Sequence, residues 1–160
     1  AVFNDEGLVF IGRRKPDENS EDRSETAAPW QMPQGGIDKG ELPDETALRE
    51  LFEETSIRSV ELIGEAPDWI YYDLPDEALG IALKGKYRGQ TQRWFAFRFV
   101  GDESEINVGA PGDGSMPAEF DQWRWEELER LPDLIVPFKR EAYRQIVAAF
   151  RDLPARLRRR

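Results

Sequence analysis

One stretch constrains this chain more than any other: a helical run from about Pro43 to Thr55 in which Glu50, Glu53 and Glu54 fall close together. Pro43 suits the first turn, where a missing N–H costs nothing, and Asp44 and Glu45 put negative charge where the helix dipole favours it. Turning about 100° per residue places Ala47, Leu48, Leu51 and Phe52 on one arc and the three glutamates opposite. One face is expected to pack and the other to gather carboxylates. Like charges at i,i+3 and i,i+4 destabilise a helix by about 0.2–0.5 kcal/mol per pair, so the crowding needs a reason. Two readings stand: a solvated acidic face with ordinary ion pairs, or a site where a divalent cation offsets the repulsion. In the second, carbonyls of the Gly35–Gly36 turn complete an oxygen shell, because glycine lets the main chain approach closely. Arg49 would neutralise part of the excess by pairing with Glu41 across the preceding loop.

The inventory narrows the chemistry. The 160 residues include no cysteine and no histidine. Disulfide frameworks, zinc-thiolate sites and thiol nucleophiles are excluded, and the commonest general base is missing. Carboxylates remain as the plentiful proton-accepting and metal-binding groups, and hard oxygen ligands favour Mg²⁺, Mn²⁺ or Ca²⁺. A net charge of −10 argues against a broad basic face that coats nucleic acid. A polyanionic substrate still fits, provided cations and a local set of Arg and Lys surround the acidic site. No apolar run approaches the roughly 18 residues that span a bilayer, and no charged-then-apolar leader precedes the first strand. A cytoplasmic protein is therefore expected, with no membrane partner and no stable protein partner evident.

Along the chain, Ala1–Phe3 reads as the end of a strand whose start lies upstream, with a turn at Asn4–Gly7 and a second strand at Leu8–Ile11. Lys15–Pro29 is polar and aperiodic, and is expected to be a mobile loop. Trp30–Gly40 is a glycine-rich approach to the helix. Further strands are expected at about Val60–Ile63, Trp69–Asp73, Gln92–Val100 and Gln122–Glu126, with long loops at Pro75–Arg88 and Asn107–Ala118. A last helix, about Val136–Arg151, carries Tyr143, Ile146, Val147 and Phe150 at helical spacing. The reading is one domain over residues 1–153, with 39% apolar residues to build its core, and a frayed basic tail over 154–160 that ends in Arg156, Arg158, Arg159 and Arg160.

The spacing then adds what composition cannot. Gly35, five residues, Glu41, seven residues, Arg49-Glu50, an aliphatic, any residue, Glu53-Glu54, any residue, a small residue and an aliphatic resembles the Nudix box over its whole length. The one departure is Ser56, where that family usually has the glycine that ends the helix. The resemblance implies a metal-dependent pyrophosphohydrolase with an α+β fold, a Nudix α/β/α sandwich around a mixed sheet. The box helix would lie on one face and the C-terminal helix on the other or at the edge. It implies Mg²⁺, with Mn²⁺ as an alternative, held by Glu50, Glu53, Glu54 and the Gly36 carbonyl. Glu41 and Arg49 would brace loop to helix, and Glu50 or Glu53 would take the proton of the attacking water.

Further segments extend the resemblance to nearly the whole chain. Trp30–Gly36, Gln90–Phe95, Glu119–Trp125 and Val136–Arg140 look like the bacterial RNA pyrophosphohydrolase and dinucleoside polyphosphate hydrolase branch, of the alphaproteobacterial, invasion-associated type. By that resemblance Glu119 is a fourth catalytic and metal-binding carboxylate, outside the helix. Phe138-Lys139 pairs a platform for a base with a cation for phosphate, although Phe138 read alone fits a helix-start core position equally well. Arg13 and Arg14 would clamp phosphates or stack on a base; their plain alternative is a solvated pair at a strand end. Gln34, Gln92, Arg93 and Val136 complete the implied substrate contacts. The substrate would be a dinucleoside polyphosphate or the 5′ end of RNA. A catalytically silent nucleotide-sensing module of the same fold is the competing class, and the intact glutamates speak against it.

Overall fold

A computed structural model describes residues 1–15, 30–73 and 89–160. The expected loops at Lys15–Pro29 and Pro75–Arg88 lie, apart from Lys15, outside the described residues. Among the described residues eight strands form two sheets: β1 (Val2–Phe3), β2 (Val9–Arg14), β3 (Trp30–Gln31), β4 (Val60–Glu65), β5 (Ile70–Asp73), β6 (Gly89–Gln92), β7 (Phe95–Phe99) and β8 (Phe120–Glu126). The main sheet runs β3-β2-β1-β7-β4, with β8 along the other edge of β2. It is mixed: β1 and β7 are parallel, and the other pairings are antiparallel. Strands β5 and β6 form a separate antiparallel ribbon, with Ile70 opposite Gln92. The α-helices among the described residues are α1 (Pro43–Thr55), α2 (Leu131–Leu134), α3 (Arg140–Phe150) and α4 (Leu153–Arg158).

The period of two in β1 and β2 builds two cores. Phe3, Val9 and Ile11 face one side, where they meet Tyr143, Ile146, Val147 and Phe150 of α3 and Leu153 and Leu157 of α4. Val2 and Phe10 face the other, with Leu51 of α1, Phe97, Phe99 and Phe120. The sheet is thus covered on both faces, as the α/β/α expectation requires. Burying a side chain such as Phe10, which is fully enclosed, contributes about 1.5–3 kcal/mol.

Helix α1 has the expected bounds. Leu42, at its N-cap, has no side-chain acceptor to offer; instead the Glu45 carboxylate accepts from the Leu42 N–H at 3.2 Å. At the other end Ser56 takes the left-handed conformation, φ 68°, and its N–H donates to the Phe52 carbonyl at 2.9 Å. The expected faces need correction. Leu48 is 45% exposed, whereas Glu54 is 3% exposed. The buried residues are Thr46, Leu51, Glu54 and Thr55, with Ala47 and Glu50 partly covered beside them, so two glutamates lie next to the buried leucine. Phe52 lies partly covered under the Arg58 guanidinium, 4.0 Å from its ring centre.

Three other boundaries differ from expectation. The expected strand over Gln92–Val100 is broken at Arg93-Trp94, where the chain leaves the β5–β6 ribbon and joins the main sheet as β7. The Val136–Arg151 helix begins as a 3₁₀ turn, Pro137–Lys139, before α3. The tail is not frayed: α4 continues to Arg158, because Leu153 and Leu157, one turn apart, are both buried against the α3 side of the sheet. The segment from Asn107 to Ala118 has no regular element, as expected.

Candidate active site

Arg49 is the hub of the loop-to-helix junction. Its Nε donates to Glu41 Oε2 at 2.7 Å and its Nη2 to Glu41 Oε1 at 2.9 Å, a two-point fork. Nη1 donates to Glu50 Oε1 at 2.9 Å and Glu53 Oε2 at 3.2 Å, and Nη2 also reaches the Gly36 carbonyl at 2.9 Å. Glu41 additionally accepts from the Thr46 hydroxyl and the Asp38 N–H. Donation from Arg49 first, then from Thr46 and Asp38, holds the Glu41 carboxyl down at about 2. Arg49 is pushed up, chiefly by its bond to Glu41.

Five residues after Arg49, at Glu54, the electrostatics reverse. Glu54 accepts from the Gln34 N–H at 3.0 Å through Oε2, while its Oε1 is buried without a hydrogen-bond partner. Burial first, then the adjacent Glu119 carboxyl and the charge of Glu50, push Glu54 up to about 10. Glu119 is exposed at the start of β8, where its carbonyl accepts from the Lys15 N–H at 2.9 Å. Glu50 is raised too, by burial against the opposing pull of Arg49, with Glu53 and Glu119 adding to the rise. Gly35 is the glycine that lies flush with the site: a Cβ there would stand 1.9 Å from the Glu50 carboxyl carbon. At Gly36 a Cβ would meet nothing, so close approach belongs to Gly35 and not to its neighbour.

The carboxylates do not meet at the single point that the sequence suggested. Among the described residues no three acidic side chains are arranged to hold one ion. Arg49 draws Glu50 and Glu53 to one side, and Glu54 lies with Glu119 on the other. The donor set nevertheless fits a divalent cation. It consists of hard oxygens, one of them is buried and unpartnered, and burial first, with neighbouring carboxyls adding to it, has raised two carboxyls that a cation would bring back down.

Two cavities flank Gln34. The larger, about 780 Å³, runs between the glycine turn, α1 and β6–β7; Glu50, Gln34, Gln92 and Arg93 line it. The smaller, about 400 Å³, is lined by Arg14, Lys15, Gln31, Gln34, Ala118 and Glu119. Alternation along β2 separates the two arginines that the sequence paired. Arg14 lines the smaller cavity, whereas Arg13 is committed to Asp121, with Nε to Oδ1 at 2.7 Å and Nη2 to Oδ2 at 3.0 Å. Arg93 is paired with Glu65 and lies 5.6 Å from the Trp69 ring centre. Gln92 donates to the Gln34 side chain at 2.9 Å and accepts from the Trp94 indole at 3.0 Å.

Lys139 is buried, with its Nζ 5.3 Å from the Tyr72 ring centre and 5.9 Å from that of Phe138. Burial first and then Arg14 push its ammonium down to about 8, against the pull of Glu119 and Glu54. Phe138 is half-buried, its ring tilted against Tyr72 at 5.9 Å, so it has both a core contact and an open face. Val136 contributes its carbonyl to the turn that presents Lys139, accepting from the Lys139 N–H at 3.0 Å. Sequence reasoning missed Lys15, Gln31 and Tyr72. The signal for Lys15 was its place directly after Arg13-Arg14; for Tyr72 it was the alternation of β5, in which Ile70 and Tyr72 face inward.

Four carboxylates on a helix and at a strand start thus lie beside one cavity lined by Arg14 and Lys15 and a larger one lined by Glu50 and Arg93, over a covered mixed sheet. The family model described as "NUDIX domain" matches residues 1–146. The chain belongs to the Nudix family, and it is a Nudix hydrolase, an enzyme class that needs divalent metal ions. It is 59% identical over 152 residues to the RNA pyrophosphohydrolase of Mesorhizobium japonicum, covering 95% of this chain and 87% of that one. Against the RNA pyrophosphohydrolase of Rhizobium meliloti it is 60% identical, covering 95% and 90%. Its fold is similar to that of the E. coli dihydroneopterin triphosphate pyrophosphohydrolase, with a TM-score of 0.62, 19% identity and 92% of each chain covered. Among the described residues no helix is long and apolar enough to cross a membrane.

Proposed function

We propose that this enzyme removes pyrophosphate from the 5′-triphosphate end of RNA, that Mg²⁺ is its metal, and that dinucleoside polyphosphates are a second substrate of the same site. The observation that carries the reading is the placing of Arg14, Lys15, Lys139 and Phe138 around the Glu54–Glu119 pair, which suits a polyphosphate with a base beside it. The RNA pyrophosphohydrolase names of relatives near 59% identity support the choice of RNA over a dinucleotide.

Glu50, Glu53, Glu54 and Glu119 would hold the metal, with Gly36 contributing its carbonyl once Arg49 yields it. Bound there, a divalent cation screens the polyphosphate and makes a nearby water more acidic. The chain's own residues do the rest. Arg14, Lys15 and Lys139 offset the phosphate charge, with Gln34, Gln92 and Arg93 on the wall of the adjoining groove. Phe138 offers its open face to the first base, and stacking of this kind is sequence-tolerant. Water attacks phosphorus, its proton passes to Glu53 at Oε1, the oxygen not bonded to Arg49, and the phosphoanhydride oxygen leaves with the bonding pair. Arg13 supports this wall by holding Asp121 and β8. Parallel assays on triphosphorylated RNA and diadenosine tetraphosphate with saturating Mg²⁺ test the reading. A higher kcat/KM on RNA is expected; a clear preference for the dinucleotide would reverse the order of substrates.

A further inference from the structure

Ser56 is the sole departure from the family's box, and it is the only described non-glycine residue with positive φ. Glycine would end α1 here without steric strain; serine gives up that freedom. What it gains is two hydrogen bonds that glycine cannot make. Its Oγ donates to the Asn107 carbonyl at 3.2 Å and accepts from the Gly112 N–H at 2.9 Å. Beside them the Asn107 N–H donates to the Thr55 carbonyl at 2.9 Å. Gly112, itself at φ 64°, rests so closely on the last turn of α1 that a Cβ there would stand 3.4 Å from the Glu53 Cα. From Gly112 the chain runs without a regular element to Glu119, where the Lys15 N–H takes hold of it.

We infer that Ser56 is a positioning residue: its hydroxyl latches the 107–112 segment onto the end of α1 and so fixes how Glu119 stands against Glu54. The same short turn carries Glu53, Glu54 and the latch, so helix end and loop move as one body. The connection to Glu119 is held at both ends, at Gly112 by Ser56 and at Glu119 by β2. The inference rests on the role given to Glu119 in the proposed function.

The test compares Ser56→Gly, which removes both the hydroxyl and the strain, with Ser56→Ala, which removes the hydroxyl alone. Both should raise amide exchange at Gly112 at least tenfold and lower kcat about five- to twentyfold, with KM within twofold of the parent. Ser56→Gly should do so without a fall in melting temperature, which keeps the test decisive if the alanine variant folds poorly. In a Glu119→Gln background the Ser56→Gly change should cost nothing further. Parental kcat in Ser56→Gly, unchanged exchange at Gly112, or a loss that adds to that of Glu119→Gln would each overturn the inference. Full activity in Glu119→Gln alone would instead retract the role given to Glu119, and Gly112 exchange would still decide whether the latch exists.

Discussion

Glu41 and Glu54 are the same side chain thirteen positions apart, and the fold drives them in opposite directions. Glu41 sits in a ring of donors, Arg49, Thr46 and Asp38, and its carboxyl is held at about 2. Glu54 is buried beside Glu119 with one oxygen unpartnered, and its carboxyl is pushed up to about 10. The difference separates structure from function within one helix-loop unit. Where donors are plentiful the glutamate fastens the fold; where they are withheld, at Glu54, a carboxylate oxygen is left without a partner, in the proposed role a ligand for a divalent cation.

The largest way to break the contrast is Glu53→Gln, which removes the proposed proton acceptor between the two regions. Turnover should fall by about 10³-fold while nucleotide binding persists, measured by single-turnover kinetics and calorimetry. Arg49→Ala attacks the fastened side: Glu41, Glu50 and Glu53 lose their shared partner, and kcat should fall about 100-fold. Because Arg49 is partly exposed, the stability loss should be limited to about 1–2 kcal/mol in denaturant titration. Arg49→Lys should recover little of the activity, since an ammonium cannot reproduce the fork onto Glu41. The core side of the same helix gives a third measure. Leu51→Ala should cost about 2–5 kcal/mol, whereas Leu48→Ala, on the exposed face, should stay within about 0.5 kcal/mol.

The smallest effect sharpens the contrast by pH, in chelator so that no cation intervenes. Glu54 is raised in the folded chain, so its contribution is fully present below about 4.5 and is lost as pH climbs towards 10. Glu41 is lowered, so its contribution is present above about 4.5 and is lost as pH falls towards 2. Melting curves of Glu54→Gln should therefore lose the alkaline decline between pH 5 and about 9 and run a few degrees above the parent at pH 8. Those of Glu41→Gln should lie below the parent at neutral pH and converge with it in acid. Parallel curves for both variants would show that neither shift is real.

Much of this was legible in advance because it depends on neighbours in sequence. Pro43, Asp44 and Glu45 set the start of α1, and the Glu41–Arg49 brace follows from a spacing that crosses one loop. What failed depended on partners far along the chain. The helical wheel put Leu48 inward and Glu54 outward, because charge faces water unless an active site stands in its way. Gln92-Arg93-Trp94-Phe95 contains no glycine or proline to mark the switch from ribbon to main sheet. Arg13 and Arg14 read as a pair until the pleat sent one to Asp121 and the other to the cavity. The last helix was hidden by Pro154 and four arginines, although Leu153 and Leu157, one turn apart, were its signature.

The bare backbone at Gly35 sets a boundary for anyone redesigning this enzyme. With the Glu50 carboxyl carbon 1.9 Å from where even a methyl would project, an alanine at Gly35 would displace that carboxyl from its place beside Arg49. New substrate preferences are better sought at Arg14 or Phe138, whose side chains are exposed and half-buried and make no hydrogen bond to the carboxylates.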